Sequence, residues 1–269
     1  PLAVKLGIKG PLSAAGLGFA VSVGDIKAHG DGVLVLLTEK LGNMNAGVDA
    51  PAMSLSPDLA WGGIRLGAQL HGKMAAPLGT AQVQVDQLAA SGAGVGTLKV
   101  QFSGENGSAD MANLLHVVAT ADGVRLPGKA PTLLASAPLQ LDAQLEPQKP
   151  GKPLAFTLSH PLLNLSGNVQ SAAPQRGTVA LKLPDLLPFG EMAGTPLRGN
   201  AGMNAQFDLP AKPEGDTHLT ADGTLAITGG QPQAAGLIAP DGKFALPATM
   251  QPLPAPDNTP APQQCALQT

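Results

Sequence analysis

The chain has no tyrosine, one tryptophan and six phenylalanines in 269 residues. Aromatic rings normally supply much of the buried area of an all-β domain, so their scarcity argues against an ordinary packed core. The lone Cys265 cannot form an internal disulfide and identifies no compartment. Charged residues are 13% of the chain and the net charge is −3. That is about half the usual charged share, and it leaves neither a nucleic-acid footprint nor a polybasic patch for a membrane surface. The densest apolar run, Gly32 to Leu37, falls far short of the ~18 residues a membrane span needs. No charged segment followed by an apolar one opens the chain at Pro1, so the sequence reads as a fragment whose anchor or export signal would lie outside it.

Catalytic and metal-binding patterns are missing as well. His29, His71, His116, His160 and His218 are scattered, with no Cys or acidic partner at metal-site spacing. His160 follows Phe156 and Leu158 at strand period and falls on the apolar side, where a satisfied buried histidine is expected rather than a ligand. The glycines of Gly92 to Gly96 and of Gly16 to Gly18 open no helix and read as turns. The sequons at Asn106 and Asn164 read as chance matches. No nucleophile elbow occurs and no catalytic carboxylate pair stands out, so a non-enzymatic protein without cofactor or metal is expected.

What the chain does contain is alternation. From Leu197 to Leu209, the residues Leu197, Ala201, Met203, Ala205, Phe207 and Leu209 sit two apart, with Arg198, Asn200, Asn204, Gln206 and Asp208 between them. This is a strand with one apolar and one wet face. Val179, Leu181 and Leu183 repeat the pattern, as do Leu163, Leu165 and Val169. Further strands are expected at Leu2 to Ile8, Phe19 to Val23, Ile64 to Leu70, Leu98 to Phe102, Leu114 to Ala119 and Leu139 to Leu145, then at Leu154 to Leu158, Leu219 to Ile227 and, weakly, Leu237 to Leu246. Between Val33 and Asp58 the signal fades; Pro51 and Pro57 predict short strands and loop there. Pro131 to Ala137 and Leu186 to Met192 are too short and Pro-flanked for more than single turns.

An internal repeat underlies the alternation. Residues 6–30 lie over residues 68–92 without a gap, so that Ile8 meets Leu70, Gly10 meets Gly72 and Val21 meets Val83. A third copy places Gly167 for Gly72 and Thr178, Leu181, Leu183 and Leu186 for Thr80, Val83, Val85 and Leu88, with three extra residues in the turn. Repeated two-strand units predict a stacked architecture. The fold expected is all-β: an elongated, twisted, mostly antiparallel sheet of repeated strands curled into an apolar groove, a β-taco or trough. Its glycines, 34 in number, would bend the sheet. Residues 1–246 form this repetitive β-groove region, and residues 247–269, Pro-rich and without periodicity, a disordered tail.

Four stretches carry a resemblance: DGVRLPGKAPTLLASAPLQLDAQL at 122–145, LAFTLSHPLLNLSGNVQ at 154–170, the linker LPDLLPF from Leu183 to Phe189, and Leu197 to Leu209. In order and spacing they resemble the middle region of the TamB family of translocation and assembly module subunits, within the AsmA-like superfamily. The resemblance implies a parent protein anchored in the inner membrane of a Gram-negative bacterium and crossing the periplasm as an apolar-lined β-trough. It implies movement of phospholipid toward the outer membrane, and outer-membrane protein assembly with a TamA-like barrel partner through regions absent here. The partners expected of this chain are phospholipid acyl chains, and no nucleic acid. The groove expected to hold them comprises Leu66, Leu70, Val83, Val85, Leu139 and Leu141, then Phe156, Leu158, Leu165, Val179, Leu181, Leu183, Met203, Phe207 and Leu209, with Leu187 and Phe189 of the linker turned inward. The competing reading is a structural or adhesive β-repeat module of a cell-surface protein with a dry sandwich or solenoid core. Alternation fits both, and the scarcity of aromatic and β-branched filling favours the trough.

Overall fold

The computed structural model describes residues 2–11, 15–105, 107, 110–210, 217–230, 241–252 and 263–267. The chain divides into two compact units, Pro1–Lys149 and Pro150–Thr269, where the sequence predicted one region over residues 1–246. The first unit holds β1 (Leu2–Lys9), β2 (Ala15–Val23), β3 (Ile26–Val35), β4 (Lys40–Ser56), β5 (Leu59–Lys73), β6 (Leu78–Ala90), β7 (Ala93–Glu105), β8 (Leu114–Asp122) and β9 (Leu139–Leu145). Each strand pairs antiparallel with the next. No pairing among the described residues returns from β9 to β1, so this sheet is open.

The second unit holds β10 (Pro153–His160), β11 (Leu163–Gln170), β12 (Gln175–Leu183), β13 (Leu197–Leu209), β14 (Thr217–Gly230), β15 (Asp241–Pro252) and β16 (Gln263–Leu267), again antiparallel in chain order. A six-residue helix, α1 (Leu187–Met192), lies between β12 and β13 with Pro188 in its first turn. Among the described residues no helix is long and apolar enough to cross a membrane.

The architecture is a single layer in each unit. Beyond neighbouring strands, the substantial packing contact is α1 on β13. The buried hydrophobic residues are Ala15, Ala50, Ala76, Ala112, Val124 and Leu134, and no large side chain is fully buried among the described residues. No second sheet covers the apolar face within either unit, as the described strands pair.

Several expectations change. The stretch from Val33 to Asp58 carries the end of β3, a 3₁₀ turn at Leu36–Thr38, and β4, which at 17 residues is the longest strand described. Pro51 is tolerated there because β3 covers β4 only as far as the Lys27–Asp49 pair, leaving the rest of β4 free on that side. A residue without an N–H costs least at such an edge. Of the Pro-rich tail, residues 247–252 end β15 (Asp241–Pro252) and residues 263–267 form β16 (Gln263–Leu267), and the two strands pair. The remainder of that tail, together with residues 237–240 of the weak strand and Asn106 of the first sequon, lies outside the described residues.

The repeat survives in two copies. Val4 faces Val21, Leu6 faces Phe19 and Ile8 faces Leu17 in the first hairpin; Leu66 faces Val83, Ala68 faces Ala81 and Leu70 faces Gly79 in the second. The register is therefore the same. Where the first copy turns at Gly24 and Asp25, the second has Asp86 and Gln87 inside β6; Gln87 takes φ 50 and the strand runs on to Ala90. The third copy occupies the hairpin β11–β12 in a different register. Gly167 faces Val179, whereas the second copy's register would set it opposite Gln175. Periodicity of two matches side-chain faces but does not fix which residues pair.

The glycines have a second use besides bending. Phe19 faces Gly30, Phe156 faces Gly167, and Phe207 faces Gly177. A Cβ on Gly30 would lie 2.4 Å from the Phe19 ring, and one on Gly167 would lie 2.6 Å from the Phe156 ring. The rings thus lie across neighbouring backbone that no larger residue could provide. At one end of the first unit, Gly72 (φ 85) lets the Asp110 carbonyl approach and accept the Lys73 N–H at 2.6 Å. The Lys40 ammonium bonds the Asp110 carboxylate, and its hydrogen bond and charge hold that exposed carboxyl below the usual carboxylate range.

Gly167→Ala is expected to cost about 1–3 kcal/mol, because its Cβ meets both the Phe156 ring and the Thr178 carbonyl. Phe156→Leu in the same chain should recover part of that loss. Urea unfolding of the two single variants and the double variant measures the coupling, and strict additivity would contradict the ring-over-glycine contact.

Candidate functional site

Antiparallel pairing with a pleat of period two gives every residue of a unit a fixed face. In the first unit one row runs straight across eight strands: Val21, Ala28, Val48, Leu66, Val83, Val100, Ala119 and Leu141, each opposite the next. A parallel row runs Ala50, Ile64, Val85, Leu98, Ala121 and Leu139. Leu70, paired with Met44, extends the same face toward the strand ends. The register thus brings Leu66, Leu70, Val83, Val85, Leu139 and Leu141 together on one surface.

The second unit repeats the arrangement. Leu158, Leu165, Leu181 and Met203 form one row, with Gly223 next in line. Phe156, Gly167, Val179, Ala205 and Ala221 form the next, and Leu154, Val169, Gly177, Phe207 and Leu219 the one beyond. Leu183 faces Ala201, and Leu209 closes the strand end opposite Gln175. All nine residues expected in this part of the groove share that face. Every one of the fifteen is half-buried.

Sequence reasoning missed Val48, Val100 and Ala119 as row members. Val48 lay in the stretch read as irregular, and Ala119 is too small to signal. Leu187 and Phe189 lie in α1 rather than in an open linker, both half-buried. The helix is anchored where the Gly190 N–H bonds the Leu186 carbonyl at 2.8 Å and the Thr195 N–H bonds that of Gly190 at 2.8 Å. A Cβ on Gly190 would lie 2.7 Å from the Leu197 nitrogen, so glycine lets α1 close onto the start of β13.

A buried polar group interrupts the apolar face. His160, opposite Leu163, is only 7% exposed. Its Nδ1 accepts the Leu162 N–H at 3.1 Å, which assigns the ring proton to Nε2. The Nε2 atom is buried with no partner, so His160 is half-satisfied rather than satisfied as the sequence predicted.

The opposite face is polar. Arg176 pairs with Asp208 across β12 and β13 at 3.0 Å, and His116 meets Asp142 at 3.1 Å across β8 and β9. A cavity of about 730 Å³ opens on this side of the first unit, over β3 to β7. A second, of about 710 Å³, lies at the turn end between Ser91, Gly94, Arg125 and Ala135. Among the described residues no group of three or more His, Cys, Asp or Glu is placed to hold a metal ion.

No family model, curated protein or solved structure matches the chain.

A charge placed in a half-covered row should be tolerated by the fold. Val83→Asp is expected to lower stability by about 1–2 kcal/mol, below the 3–5 typical of a lost aromatic in a packed core. It should also reduce binding of an apolar fluorescent dye several-fold, with the far-ultraviolet dichroism of the sheet retained.

Proposed function

We propose that the chain is a non-enzymatic segment of a periplasm-spanning lipid conduit of the TamB type, which carries phospholipid acyl chains along its apolar face in outer-membrane biogenesis. One observation carries this reading: continuous apolar rows, one strand after another, whose side chains remain half-buried, with no second sheet packed on them within either unit among the described residues. Apolar surface of that extent on a folded chain marks a binding surface. An acyl chain laid across it gains on the order of 0.8 kcal/mol per buried CH₂.

The rows suit a chain that moves. Their side chains are Leu, Val, Ala and Met with few rings, so each position along a row offers nearly the same contact as the next. Affinity without a fixed polar anchor along most of the face favours passage over retention. The anchor in the inner membrane and a TamA-like outer-membrane barrel partner belong to the same proposal, through parts of the parent protein other than this segment.

Purification from a bacterium, followed by lipid extraction and mass spectrometry, should find phospholipid bound to the protein. In Leu181→Asp and Phe207→Asp the lipid should be lost with the fold retained. A lipid-free, stable monomer, or unfolding of both variants, would contradict the conduit and favour a dry structural module.

A further inference from the structure

The cavity on the polar face of the first unit has a floor that packing does not require. Gly67 lies in the middle of β5, at an ordinary strand conformation, and a Cβ built on it would meet nothing within 4 Å. Glycine weakens a strand interior, and neither a close backbone approach nor a positive φ calls for it here. Its effect is to keep the surface open. Gly47, its partner across β4, carries the imidazole of His29 over its backbone, so the pit is floored by main chain and walled at one end by a ring. At the other end Gln82 stands opposite Gly67, and Gln101 opposite Gln82.

The two rims differ in charge. Along one rim Arg65, Gln84 and Lys99 stand side by side on β5, β6 and β7, with Asp49 of β4 opposite Arg65 and Lys27 of β3 beyond it. Neither Arg65 nor Lys99 takes part in any of the ion pairs among the described residues. Gln84 turns its amide nitrogen to Asp86 at 3.0 Å, so the two cations flank a carboxamide already engaged on its donor side. Along the other rim Asn45, Gln69 and Thr80 follow one another, with Asp31 beyond Asn45 and hydrogen-bonded by it at 3.4 Å.

Chemistry narrows the ligand. The His29 imidazole at one end is the one aromatic ring lining the pit, so successive nucleobases find no run of stacking platforms. Apolar chains find their surface on the opposite face. Carboxamides and hydroxyls both donate and accept, which suits a ligand dense in hydroxyl groups. Two unpaired cations about two strand spacings apart, roughly 10 Å, suit acidic substituents on that ligand. We propose that this glycine-floored pit binds an anionic, hydroxyl-rich oligosaccharide, its sugar ring over Gly67 between Gln82 and His29 and its acidic groups at Arg65 and Lys99. The site is separate from the apolar rows and does not depend on the lipid reading.

Titration of the whole chain with oligogalacturonate, and with a neutral maltooligosaccharide of equal length, tests this by calorimetry. Oligogalacturonate should bind, more weakly as salt rises, and at least tenfold more tightly than the neutral sugar. Arg65→Gln with Lys99→Gln should remove that preference. Gly67→Val fills the empty space above the floor and should abolish binding with an unchanged melting temperature; Gln101→Leu, at the end of the pit beyond Gln82, should weaken binding several-fold and tests the site independently of any effect of the valine on the strand. Equal binding of both sugars would overturn the anionic assignment. Absence of binding, or full affinity in Gly67→Val and Gln101→Leu, would overturn the site.

Discussion

The hydrogen-bonded ladder between consecutive strands is the constraint on which the rest depends. With every strand antiparallel to the next and the pleat repeating every two residues, one register choice sets the face of all residues in a unit. A slip of one residue between β5 and β6 would send Val83 and Val85 to the wet side and bring Gln82 and Gln84 among the leucines. The apolar rows are thus a property of the ladder as a whole, and within each unit no described strand forms a second layer against them. Among the described residues the protein's buried hydrophobics are mostly alanines, such as Ala50 and Ala76.

A single layer needs other sources of cohesion. Phe19, Phe156 and Phe207 each cover a glycine on the neighbouring strand, which gives these few rings contact area without an opposing sheet. Asp110 ties the ends of β4 and β5 together through Lys40 and Lys73, and α1 packs on β13. These contacts are local and lateral, and they leave the apolar face free. His160 is the exception, a buried imidazole with one nitrogen bonded to the backbone and the other without a partner.

Much of this was legible in the sequence wherever alternation was strong. Leu163 to Leu209 holds three segments of period two, and its three strands form where the pattern places them. The stretch around Pro51 was not legible, because whether proline interrupts a strand depends on how far the neighbouring strand extends, and that is a property of β3 rather than of β4. The second half of β15, residues 247–252, and all of β16 were hidden by proline content, whereas residues 241–246 fall within the weak strand the alternation predicts. The third repeat was misplaced by four residues because similar side chains two apart fit more than one pairing. The groove residues themselves were legible as a face, whereas the polar-side cavity was not: Gly67 matters there for the space it leaves, which no local pattern announces.

The two faces make opposite demands on solvent, and the proposed lipid conduit requires that acyl chains meet the apolar one. The most direct measurement is photocrosslinking with a phospholipid bearing a photoreactive group on its acyl chain, followed by peptide mapping of the labelled protein. The account predicts adducts at Val83, Val100, Leu181 and Met203, with none at the neighbouring Gln82, Gln101, Lys182 or Asn204. Labelling spread equally over both sets, or confined to the polar set, would contradict it.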